Sequence, residues 1–111
     1  MSSYNKRQLD LMSDRLAAFE RGAIPLRKLI SDLEGLLSAL ENRDEGWTES
    51  FLKEWGVLED VYAGAFDKNL KELPEDCKNL IARAINELRE LVDQQVRAED
   101  ASQSIGPTEH T

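Results

Sequence analysis

Apolar residues recur at alternating steps of three and four in four separate stretches of the chain, the spacing that lays them along one stripe of an α-helix rather than on one side of a strand. The stripes read Leu9, Met12, Leu16, Phe19 and Ala23; then Leu26, Leu29, Leu33, Leu36 and Leu40; then Phe51, Trp55, Leu58, Tyr62 and Ala65; and last Cys77, Ile81, Ala84, Leu88 and Leu91. Turn residues separate them. Gly22 suits a left-handed cap at the end of the first helix, and Pro25 suits the first turn of the second. The segment Asn42 to Gly46 interrupts the next boundary, and Asn69 to Leu73 the last. Pro74 then opens the fourth helix with Glu75 and Asp76 at its positive end.

Short connections place consecutive helices antiparallel, so the pattern predicts an all-α, antiparallel four-helix bundle, up-down or an irregular variant of it. A length of 111 residues allows one domain. Its expected extent is 1–97, because the stripe stops near Arg97; the small and polar residues 98–111, with Gly106 and Pro107, read as a disordered or loosely packed tail.

Charge changes the picture. The chain carries 22 acidic and 14 basic side chains, a net charge of −8. The negative density peaks between residues 41 and 60, where Glu41, Asp44, Glu45, Glu49, Glu54, Glu59 and Asp60 face only Arg43 and Lys53. Such a surface repels phosphates and argues against direct nucleic-acid binding. It is suited to solubility, and also to the capture of a basic partner. The absence of a long apolar run argues against membrane insertion, and the N-terminal residues lack a secretory h-region, which makes the cytoplasm the expected compartment.

Candidate chemistry is sparse. Cys77, the single cysteine, falls on an apolar stripe and reads as a small buried hydrophobe. His110, the single histidine, is in the polar tail, so no helix offers a base or an imidazole metal ligand. Catalytic residues, metal and cofactor are all expected to be none. The one enzymatic spacing is Glu72-x-x-Glu75 followed by Glu90-x-x-Asp93, which resembles the magnesium-binding signature of all-α nucleotide pyrophosphohydrolases. Geometry opposes it, since a continuous helix from Pro74 to Arg97 separates the pairs by about 20 Å. Glu90 and Asp93 then join Arg83 and Glu87 on a solvated face.

The third helix offers a surface instead. With its core stripe centred near Phe51, the opposite side carries Glu49, Lys53, Gly56, Asp60, Gly64 and Asp67. Each mid-helix glycine costs about 1 kcal/mol relative to alanine. One reason for Gly56 and Gly64 is close approach by another chain; the other is a break, a kink or helix packing. Asp44 and Glu45 precede the helix and suit either its N-terminal dipole or a basic partner. Trp47 shares the phase of Phe51 and reads first as core or cap packing. Tyr62 is also in phase with the core, with a hydroxyl able to emerge at an edge.

The stretch Phe51 to Asp67, with Trp55, Leu58-Glu59, Tyr62-Ala63 and Asp67, followed by Ile81 to Val92, resembles small acidic bacterial immunity proteins. These include the partners of nuclease colicins and of contact-dependent or other polymorphic toxins. The likeness spans about residues 5–97 as an architecture. Where the nuclease-colicin group has Asp-Ser-Tyr-Tyr at its partner surface, this chain has Asp60-Val61-Tyr62-Ala63, so Asp60 and Tyr62 alone have approximate counterparts. The resemblance implies a non-enzymatic inhibitor that binds a cognate toxin, a basic protein and often a nuclease, with carboxylates in place of phosphates. The expected partner-binding residues are Asp44, Glu45, Glu49, Gly56, Asp60, Gly64 and Asp67, on a monomer or weak homodimer. The alternatives are a self-associating bundle or adaptor with the glycine stripe as a two-fold contact, and a magnesium-dependent nucleotide phosphohydrolase.

Overall fold

The computed structural model describes residues 3–68 and 71–108, with side chains over 4–68 and 71–99. Four helices follow one another: α1 (Ser3–Glu20), α2 (Leu26–Ala39), α3 (Glu45–Asp67) and α4 (Glu75–Thr108). No strand occurs among the described residues. Helix α1 packs on α2 and α4, and α3 packs on the same two, while the diagonal pairs stay apart. That closed ring is an up-down four-helix bundle, as the periodicity predicts. Helix α4 continues past Arg97, where the apolar stripe ends, so the start of the expected tail is helical in its backbone. The side chains from Asp100 onward and the last three residues lie outside the described residues.

The core is made by the predicted stripes and by their neighbours. Leu9, Met12, Leu16, Leu29, Leu33, Phe51, Leu58 and Leu88 are fully buried, and Ile81 and Ala84 nearly so. Ile30, Leu37, Val61, Ile85 and Val92 also enter the core although they lie one position off those stripes. A helix with two neighbours buries a wider band than a two-helix seam requires, which explains these additions. Four stripe positions need correction. Ala23 is exposed in the turn after α1, because the helix ends three residues earlier; Cys77 is only half-buried near the open end of α4; Trp55 and Tyr62 lie half-buried on a flank of α3.

Boundaries follow local chemistry. Gly22 has φ +80, the Gly22 amide donates to the Phe19 carbonyl at 3.0 Å, and that of Ala23 donates to Ala18 at 2.8 Å. This is a Schellman cap, for which glycine has no steric penalty. Pro25 sits at the N-cap of α2, one position before the helix it was expected to open within. Between α2 and α3, the Asn5 amide nitrogen donates to the Glu41 carbonyl at 2.8 Å and its oxygen accepts the Glu41 amide at 3.0 Å. The second connection is thereby tied to the start of α1. Helix α3 begins at an Asp44 cap whose carboxylate accepts the Trp47 amide at 2.9 Å. Asp44→Ala should lower stability by about 0.5–2 kcal/mol, measured by urea unfolding, with no loss of α3 itself.

Two indoles hold α3 in place. Trp47 Nε1 donates to the Leu91 carbonyl of α4 at 2.8 Å, and Trp55 Nε1 donates to the Ile30 carbonyl of α2 at 2.9 Å. Each bond uses the spare lone pair of a carbonyl in a helix, so α3 is registered against both neighbours without an internal polar group. Trp47 also leans on Phe51, ring centroids 5.3 Å apart, and so takes the packing role expected of it. Across the bundle, Arg89 of α4 forms a forked pair with Glu20 at the end of α1. Its guanidinium pKa is raised, chiefly by that hydrogen bond, against an opposing effect of burial and with lesser help from the charges of Glu20 and Asp93.

Candidate functional site: the outer face of the third helix

The core-facing side of α3 is occupied by Phe51, Leu58 and Val61. By the 3.6-residue repeat the far side then carries Glu49, Lys53, Gly56, Asp60, Gly64 and Asp67. Glu49, Lys53, Asp60 and Asp67 are all exposed. An ideal Cβ at either Gly56 or Gly64 would meet nothing within 4 Å. The glycines therefore make room for no neighbouring helix of this chain. Nor does Gly56 break α3, which is continuous from Glu45 to Asp67. Of the readings open from the sequence, an internal break and an intramolecular packing requirement are both removed.

What remains is two side-chain-free positions, Gly56 and Gly64, with the exposed Asp60 carboxylate between them. Gly56→Ala should stabilise the bundle by about 0.5–1 kcal/mol, because it adds helix propensity where no atom obstructs the methyl group; thermal unfolding by circular dichroism reads this directly.

The expected site residues do not all act alike. Glu45, Glu49, Asp60 and Asp67 are exposed along α3, and Glu45 also stands in its first turn, where the helix dipole favours a negative charge. Asp44 is exposed but has a task within the fold, since one of its oxygens caps α3. Tyr62 is half-buried with its ring 6.2 Å from that of Phe66, which is 72% exposed. Phe66 lies one position beyond the last residue of the predicted stripe, and its exposure is decided by where the neighbouring helices end rather than by its own spacing.

The remaining chemistry is quiet. Glu75 opens α4 and Glu90 lies on the same uninterrupted helix, so the two carboxylate pairs are too far apart to share an ion. Glu90 and Asp93 are exposed together with Arg83 and Glu87. A concavity of about 460 Å³ between α1 and α2, beside Leu11 and Gly35, holds charges that are already paired. There Asp32 lies 3.3 Å from Lys28 and 3.9 Å from Arg15. No helix of the described residues is long and apolar enough to cross a membrane. Compared with protein-family models, curated proteins and solved structures, the chain matches none of them.

Proposed function

We propose that this bundle is a non-enzymatic binding protein of the immunity type, which captures a basic toxin domain in the cytoplasm and blocks its access to substrate. The observation that carries this reading is the outer face of α3. Four exposed carboxylates, Glu45, Glu49, Asp60 and Asp67, lie along the same helix as two glycines at which an added Cβ would meet nothing within 4 Å. Long-range attraction from such a face accelerates encounter with a positively charged surface, and an uncluttered strip lets the partner backbone come close and slows its release. A nuclease domain fits on chemical grounds, because a site built for phosphates accepts carboxylates.

Self-association through the same strip is disfavoured by its charge. A two-fold contact brings a patch onto its own copy, so carboxylates would meet carboxylates. The test of the proposal begins with the gene immediately upstream, which this reading expects to encode a toxin-bearing protein. Its terminal toxic domain, expressed with this chain, should form a stoichiometric complex by size-exclusion chromatography and lose its toxicity to the host cell. Undiminished toxicity and separate elution would overturn the reading.

A further inference from the structure

A second stripe runs along α3 beside the acidic face. Leu52, Trp55, Glu59, Tyr62 and Phe66 follow one another at steps of three, four, three and four, which is the spacing of a helix–helix seam. Their exposure shows that the seam is not filled. Leu52 is 43% and Phe66 72% exposed, Glu59 is exposed, and Trp55 and Tyr62 are half-buried.

The reason is a mismatch in helix length. Trp55 is fixed opposite Ile30 of α2 by its indole hydrogen bond. Helix α2 runs only from Leu26, four residues from Ile30, whereas α3 continues eleven residues from Trp55 to Phe66. At about 1.5 Å per residue in antiparallel helices, Phe66 stands about 10 Å beyond the first residue of α2. Tyr62 and Phe66 are already in ring contact, so this end of the stripe is organised before anything binds.

We propose that this flank of α3 is the seat of a helix belonging to the partner, amphipathic and basic, with apolar residues at steps of three and four and a lysine or arginine opposite Glu59. The proposal rests on the capture reading above and adds to it the shape of the bound element. The periodicity selects a helix, because a strand would match alternate residues and would leave every other position of the stripe unmet. The charge selects its sign: Glu59 lies within the stripe and is exposed, with exposed Asp60 beside it. The same charges disfavour a second copy, whose antiparallel stripe would set Glu59 against Glu59. Phe66 is the residue most open to an apolar socket, and aromatic anchors of this kind dominate the energy of interfaces.

The probe is a synthetic peptide of about 18 residues, or five helical turns, with leucines at the seam spacing and lysines elsewhere. A peptide of the same composition with the order shuffled serves as its control. Calorimetry with the full chain should give binding of the patterned peptide and at least tenfold weaker binding of the shuffled one. Phe66→Ser and Leu52→Ser, both at exposed positions, should retain the helical circular dichroism signal and weaken the patterned peptide by about tenfold each, the range of an interface hot spot.

Equal binding of both peptides, no binding of either, or affinity unchanged by Phe66→Ser would overturn the proposal. So would a concentration-dependent dimer in sedimentation that Phe66→Ser dissolves, since the occupant would then be a second copy. A toxin complex that forms normally with Phe66→Ser and fails with reversed carboxylates on α3 would remove the seam and leave the capture reading intact. If the wild-type chain forms no toxin complex at all, it is the capture reading that fails.

Discussion

Phe51→Ala is expected to remove about 3–5 kcal/mol of folding stability, the range for deleting a fully buried aromatic ring. Phe51 has no exposed surface, belongs to the buried cluster shared by all four helices, and supports Trp47, whose indole joins α3 to α4. The loss therefore combines the transfer of the ring from water, a cavity that rigid helices close only in part, and a loosened tryptophan. Small domains have a total stability of about 5–15 kcal/mol, so the variant should be close to its unfolding midpoint in mild denaturant. Urea titration followed by circular dichroism measures this, and Phe66→Ala supplies the contrast. That ring is also aromatic and on the same helix, yet it is 72% exposed, and its loss should leave the midpoint almost unmoved. Equal shifts for the two variants would mean that the assigned core of α3 is wrong.

The double reversal Glu49→Lys with Asp60→Lys is expected to abolish toxin capture while leaving helicity unchanged. Both residues are exposed on α3 and neither makes a contact that holds the bundle together. The two substitutions halve the net charge of −8 and place cations on either side of Gly56, the point of closest approach in the proposed complex. Electrostatic steering raises association rates by about 10–1,000-fold, so the variant should lose most of that factor in stopped-flow mixing. The difference should shrink as salt is added, since at about 0.15 M the Debye length falls to about 8 Å. An association rate and salt dependence identical to those of the wild-type chain would remove this face from the function.

These two variants separate what α3 does inward from what it does outward, and the two sides were not equally legible. The inward side is periodic. Phe51 and Leu58 were found from spacing alone, because burying a stripe on a helix leaves a mark on every third or fourth residue. The acidic outer side was also visible, as a projection of the same wheel. The purpose of Gly56 was not, since a glycine has the same sequence signature whether it breaks a helix, packs against one or stands open to solvent. The empty space over its Cβ position decided between those uses.

Trp55 and Tyr62 show the same division from the other direction. Their phase is within reach of the core, and a wheel cannot say how far a neighbouring helix extends.

The amino-acid order alone determined four amphipathic helices, their antiparallel succession, the glycine cap at Gly22 and a surplus of negative charge in the middle of the chain. Each of these is a local property, fixed by periodicity, backbone freedom or composition within a few residues. The tertiary structure decided which groups meet across the bundle: the indole bonds from Trp47 and Trp55 to the carbonyls of α4 and α2, and the fork between Arg89 and Glu20. It also left Phe66 uncovered, because α2 begins short of the end of α3. Such contacts depend on relative helix length and register, which arise when separate segments pack and are written in no single one of them.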